Sequence, residues 1–468
     1  MRKQLLGLAI ALAILIIAVS VWVIFSSFQD EEQPVDPNPT SIEHTTENIG
    51  GESVTRSKTF AERMRSGEEF LALEQFERAA SEFAAAAANE ASALEPLLGL
   101  AEAQIQLKDF EKARANLLAA EQLDATNADI FILRGIILLR ENNFLEAEKA
   151  FAKAGDTANF WRGLVAAFFD RREEAEKLLA EARDARAPEI LDAYTEYLTF
   201  PDSPKTHLDT LLTRAFTAIG EYELALAKIG PVLEDDATYR DAWLLTGYAQ
   251  FAQQQFQQAR ESWQTAYALD SGKPETQYFL GLVNFELKDF TDAEKFLLLA
   301  RENKFESEEL EEKLIEIYFA GGKYRAAADL LADKIENDPR ATIEEFTEAI
   351  SLYLEKLDDG RSAWDLANLA TKRFPNSGES YNLAGWVSLT NGYLEESRTQ
   401  LEQSIRLDPS SPWPYYNLGQ LFEQNGNTSS ALAAYHEAFS LDTEGTAGTL
   451  AAQNYNRLLA EVNPSPDE

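Results

Sequence analysis

The chain has 468 residues, of which 79 are acidic and 42 basic, for a formal net charge of −37, and 45% are hydrophobic. That hydrophobic share is too rich for a mostly disordered chain, and so acidic a chain argues against nucleic-acid binding, which needs clustered Lys and Arg for phosphates. Cysteine is absent, which excludes disulfides, thiol catalysis and cysteine-ligated metals.

Residues 1–4 form a short basic start, and residues 5–25 (LLGLAIALAILIIAVSVWVIF) carry no charge. As a helix that run reaches about 31 Å, matching the hydrocarbon core of a bilayer. It predicts a single transmembrane helix, uncleaved because the run is long and Ser26-Ser27-Phe28 makes a poor cleavage site. Trp22 falls where an interfacial indole is well placed. Arg2 and Lys3 precede the run and Asp30, Glu31 and Glu32 follow it. The positive-inside rule then expects a cytoplasmic N-terminus, with the remainder outside the cell membrane. Residues 26–59 hold Pro34, Pro37, Pro39, Gly50 and Gly51 among polar side chains. No apolar periodicity runs through them, so they read as a disordered linker averaging about 33 Å end to end.

From residue 60 a pattern recurs at about 34 residues. Its units start at 60, 94, 128, 156, 206, 240, 274, 308, 344, 378 and 412. Each reads as two amphipathic helices and a turn, as in residues 412–443, where Asn425-Gly426 marks the turn. Position 8 is small (Gly67, Ala101, Gly135, Gly163, Gly247, Gly281, Gly385, Gly419), and so are position 20 (Ala79 through Ala431) and position 27 (Ala86 through Ala438). A helix-interior glycine costs about 1 kcal/mol relative to alanine, so its recurrence requires a compensating close contact. Large residues such as Phe83, Phe131, Phe151, Trp243 and Trp263 fill the space between helices. Pro339, Pro375 and Pro409 close second helices.

Two arrays are expected, 60–188 with four units and 206–445 with seven, separated by a spare helix and turn at 189–205. Residues 446–462 read as a capping helix, and 463–468 as a frayed tail.

The ladder resembles the tetratricopeptide repeat family over roughly residues 60–445. The resemblance implies an all-α solenoid, a right-handed superhelix of antiparallel helix pairs whose first helices line a concave, non-catalytic surface for proteins or peptides. The family's groove positions, carried onto this chain, give Phe251, Phe285 and Phe319 at position 12, Tyr248 at position 9 and Tyr278 at position 5. Trp386, Trp413 and Tyr416 take equivalent places in the last two units. Aromatic side chains in a groove make good partner anchors; the structural alternative is that they pack between helices. The family's carboxylate clamp needs cations at positions such as 5 and 9, where this chain has Met64, Glu68, Leu98, Glu102, Ile132, Ile136, Glu312 and Glu316. Its absence argues against a receptor for chaperone tails and weakens a likeness to mitochondrial import receptors.

No enzyme is legible. His44, His207 and His436 are scattered and read as solvated residues, and adjacent acids such as Glu311-Glu312 and Asp358-Asp359 do not share a helix face. Neither cofactor nor metal is expected. The chain therefore reads as a membrane-tethered scaffold for protein–protein interaction at the cell envelope. The alternative is a module that binds a glycan polymer along an aromatic groove.

Overall fold

The computed structural model describes residues 44–49, 52–200, 202–305 and 307–462. Among them, no helix is long and apolar enough to cross a membrane. The span expected at 5–25 lies outside the described residues, as do the N-terminal start, residues 26–43 and the tail at 463–468.

The linker expected at 26–59 is not structureless throughout. The linker contains two strands, His44–Ile49 and Glu52–Ser57, paired antiparallel from His44 opposite Ser57 to Ile49 opposite Glu52. Thr45, Thr46, Val54 and Thr55 are β-branched, the type of side chain that suits a strand. No apolar alternation advertises these strands, which is why periodicity misses them.

Everything that follows is helical. The first helix among the described residues, Phe60–Ala72, opens on a capping box in which the Thr59 hydroxyl accepts from the Glu62 amide and Glu62 accepts from the Thr59 amide. Antiparallel pairs succeed one another, from Phe60–Ala72 with Phe76–Asn89 to Trp413–Gln424 with Thr428–Leu441, and Thr446–Val462 packs on the last of them. The chain divides into two compact units, with the boundary between Asp270 and Ser271.

The glycine ladder has one physical cause. A Cβ added at Gly67 would lie 2.6 Å from the Phe83 ring, one at Gly163 would lie 2.6 Å from Leu179, and one at Gly385 would lie 2.6 Å from Leu401. Gly135 meets Phe151, Gly247 meets Trp263 and Gly281 meets Leu297 in the same way. Each glycine thus seats the large residue sixteen positions on, in the partner helix. The alanines between, among them Ala79, Ala113, Ala225, Ala327 and Ala431, are fully buried.

The turn inside each pair is equally regular. Its fifteenth position carries a positive φ at Glu74, Lys108, Asn142, Asp170, Gly220, Gln254, Lys288, Gly322, Asp358, Gly392 and Gly426. The next amide reaches back to close the helix, as from Gln75 to the Phe70 carbonyl at 2.8 Å and from Gln255 to Gln250 at 2.9 Å. This is a Schellman stop, and seven of these eleven left-handed residues are not glycine.

In the N-terminal unit the expected separation of arrays at 189–205 is not a gap in the core. Helix Ala187–Leu198 contributes Ile190, Ala193 and Tyr194 to one hydrophobic cluster that extends from Leu139 to Ala249. Two ion-pair networks reinforce the same region. Arg140 binds Glu221 at 2.8 Å and Glu223 at 2.9 Å, with Arg186 3.6 Å from the same Glu221. Lys228 binds Asp170 at 2.5 Å and Asp209 at 3.0 Å. Burial alone would lower the Arg140 pKa, but the two carboxylates outweigh it and hold the guanidinium charged. His207, expected to be solvated, is half-buried with its ring 6.3 Å from Tyr197.

Candidate functional site: the face of the first helices

Within each unit, several first helices of successive pairs touch one another. In the N-terminal unit Phe60–Ala72 touches Glu95–Gln106, which touches Ala128–Arg140. In the C-terminal unit Pro274–Glu286 touches Glu308–Ala320, and Gly378–Thr390 touches both Ile343–Ser351 and Trp413–Gln424.

The eight aromatic candidates divide sharply by exposure. Three are core. Tyr248 and Phe251 are each 8% exposed, and the Phe251 ring packs 5.3 Å from Phe256 and 5.5 Å from Trp263. Gly247 gives Trp263 its seat, and Trp263 thereby comes within reach of Phe251. Tyr278 is 4% exposed; its hydroxyl donates to Glu309 at 2.9 Å and its ring stacks on Phe305 at 4.6 Å. A loop side chain and the next first helix have occupied that groove position from within the protein.

The other five reach solvent to different degrees. Phe285 and Phe319 are half-buried, each beside an aromatic residue of its own pair, Phe290 and Tyr324. Trp386 is half-buried. Trp413 is exposed and meets half-buried Tyr416 edge to face, with centroids 6.0 Å apart and planes at 87°. The Tyr416 hydroxyl accepts from Gln420 at 3.1 Å and from Asn454 of the last helix at 3.4 Å, so this ring also fastens the end of the array.

Polar residues that the aromatic reading passed over share the surface. Buried Asn417 donates to buried Asn382 at 3.0 Å, joining two successive first helices, and Asn382 reaches Glu379 at 3.4 Å. The second position of four successive units is glutamate: Glu275, Glu309, Glu345 and Glu379. Reading the chain at its own period would have found that column. Burial raises the Glu379 pKa, and Glu344 and Asp408 add to the rise. Burial likewise raises Glu348, with Glu345 adding, and Glu286, with Glu316 adding and Lys313 opposing. Among the described residues no group of histidine and carboxylate side chains is arranged to hold a metal ion.

Models of the tetratricopeptide repeat match residues 212–274, 244–304 and 414–444, and a TPR repeat model matches residues 390–426. These stretches are tetratricopeptide repeats. With the helix pairs around them, the described residues from 60 on form TPR-like stacks of helix pairs. The solved structures it is similar to include the APC/C hetero-tetramer Cut9-Hcn1, at 12% identity and TM-score 0.28, covering 86% of this chain and 96% of that one. YrrB, a TPR protein with an unusual peptide-binding site, is similar at 15% identity and TM-score 0.27, over 49% of this chain and 97% of that one. Yeast Tom70 is similar at 12% identity and TM-score 0.28, over 87% and 97%. Scores this low fix neither shape nor partner. No curated protein sequence matches the chain.

Proposed function

We propose that the protein is a non-catalytic scaffold that holds an extended segment of a partner protein against the first helices of residues 274–424. The observation that carries this reading is exposed Trp413, edge to face with half-buried Tyr416, on a helix whose buried Asn417 is hydrogen-bonded to Asn382 of the preceding first helix. Flat rings supply large contact area at low entropic cost, and a rigidly held amide can meet a peptide backbone. The rings of Trp413 and Tyr416 lie at 87° and offer no parallel stacking ladder, so peptide is favoured over glycan.

The uncharged run at 5–25 supports a tether in the cell membrane, and Arg2 and Lys3 support an orientation that exports the repeats. The chain would then present its binding face at the envelope.

Crosslinked capture from membranes tests the site, comparing the full chain with Trp386→Ala plus Trp413→Ala. The double variant is expected to lose its partners while keeping its melting temperature within a few degrees; an unchanged set of partners overturns the assignment. Protease added outside spheroplasts tests the orientation. Digestion of the repeats is expected, and their survival refutes export.

A further inference from the structure

The close approach that glycine permits is missing from two successive pairs of the C-terminal unit. At the eighth position, where other pairs of that unit have Gly281, Gly385 and Gly419, the pairs starting at 308 and 344 have Ile315 and Ser351. Ile315 is buried, and a branched side chain at this position holds two helices apart. In the next pair the residue sixteen positions after Ser351 is Ala367, so the large side chain of the usual seat is missing as well. Accordingly Glu308–Ala320 and Tyr324–Asn337 meet less closely than the helices of any pair with glycine there, and so do Ile343–Ser351 and Gly360–Arg373.

The second of these pairs also carries one residue too many where its first helix ends. In the turns on either side the closing amide reaches five residues back, from Lys323 to the Tyr318 carbonyl at 2.7 Å and from Tyr393 to Ser388 at 2.8 Å. Asp359 reaches six back, to Tyr353 at 2.8 Å. A turn of π-helix, Leu352–Lys356, absorbs the extra residue, and such turns recur where helices serve function at the expense of regularity.

Polar links tie the two loosened pairs together. Arg325 binds Asp359 at 2.6 Å, and the Tyr353 hydroxyl, on the π turn, donates to Asp329 at 2.8 Å. Lys334 binds Glu345 at 2.9 Å, and Arg373 donates to the carbonyls of Ile335 and Asp338 at 2.7 and 3.0 Å. The Arg325 side chain is exposed, so its ion pair is of the kind that opens at little cost.

We propose that residues 308–373 are a flexural joint within the C-terminal unit, held at its resting angle by the Arg325–Asp359 and Tyr353–Asp329 links. The arms are the closely seated pairs on either side, with Gly281 before the joint and Gly385 and Gly419 after it. Bending alters the separation of Phe285 on one arm from Trp386 and Trp413 on the other, as hinge motions do in other proteins. The joint stands independently of what the face binds.

Because the chain has no cysteine, spin labels can be placed at Thr291→Cys and Ser429→Cys, exposed positions on second helices of the two arms. Pulsed electron paramagnetic resonance on the full chain in detergent then reads the distribution of distances across the joint. Three labelled proteins are compared: the otherwise unaltered chain, the joint variant Arg325→Gln plus Tyr353→Phe, and an equal-charge control. The control, Arg457→Gln, cuts the link between the last helix and Glu423. The joint variant is expected to widen the distribution by about half, and the control to leave it within about a tenth. An unchanged distribution in the joint variant, or equal widening in both variants, would overturn the proposal. Hydrogen exchange on the unaltered chain gives a second reading that needs no variant to fold. Amides of residues 308–320 and 343–356 should exchange about tenfold faster than those of 378–390; equal rates would also overturn the joint.

Discussion

Gly419 and the ring of Tyr435 occupy space that a single methyl group would close: a Cβ on Gly419 would lie 2.5 Å from the ring carbon Cδ1. Tyr435 is fully buried and its hydroxyl donates to Glu423 at 3.0 Å, so the ring has little freedom to withdraw. Gly419→Ala gains about 1 kcal/mol of helix propensity but overpacks the pair at a cost of about 1–3 kcal/mol. The expected outcome is a lower urea midpoint. Adding Tyr435→Ala, which is destabilising alone, should cost less than the sum of the two single changes because the clash is gone. Additive losses would show that the glycine is not there for the ring.

The left-handed residues in the turns offer the opposite manipulation. Gln254 has φ +61° and Gly392 has φ +81°. A side chain in this region costs about 1–2 kcal/mol, part of which glycine returns through its greater freedom in the unfolded chain. Gln254→Gly should therefore raise the thermal midpoint, by about 0.5–1 kcal/mol of stability. Gly392→Ala should lower it by a similar amount, read in the same melting experiment.

Burial separates the ion pairs that matter from those that do not. The Glu221 side chain is 2% exposed and lies against both Arg140 and Arg186. Glu221→Gln leaves buried positive charge short of its carboxylate, and a loss approaching about 3–5 kcal/mol is expected. The exposed Arg457–Glu461 pair serves as the comparison, with Glu461→Gln expected to cost under about 0.5 kcal/mol. Denaturant titration of the two variants side by side decides the point.

Glu379 makes stability depend on pH with a definite sign. Burial, then Glu344 and Asp408, raise its folded pKa above the ordinary 4.5, so the folded chain holds this proton more tightly than the unfolded chain. Its favourable contribution is complete below 4.5 and is lost as pH rises through the raised value. Glu379→Gln should accordingly melt at a higher temperature than wild type at neutral pH, with the difference vanishing in acid. A pH-independent difference would remove titration as the cause.

The helical repeat class was legible because Gly419, Gly385 and their counterparts report packing directly: a glycine within a helix needs a neighbour that excludes a side chain. The left-handed turns at Lys108 or Gln254 were not, since the Schellman hydrogen bonds and not the residue type impose the conformation there. The candidate site was half legible. Groove positions can be counted from the period, but whether a ring there meets solvent depends on neighbours. Phe251 is taken by Trp263, and Tyr278 by Phe305 and Glu309, whereas Trp413 meets the edge of Tyr416 and stays 36% exposed. The hairpin at 44–57 carried no apolar alternation to reveal it.

The cluster from Leu139 to Ala249, with the Arg140–Glu221 link across it, has a kinetic consequence. In a plain stack each pair answers only to its neighbours, and amide protons exchange faster toward the frayed ends. Here distant pairs share a core and a buried charge, so this stretch should open as one block. Its amide protons should be among the slowest in the chain to exchange, and Glu221→Gln should speed them together while leaving those near Tyr435 unchanged.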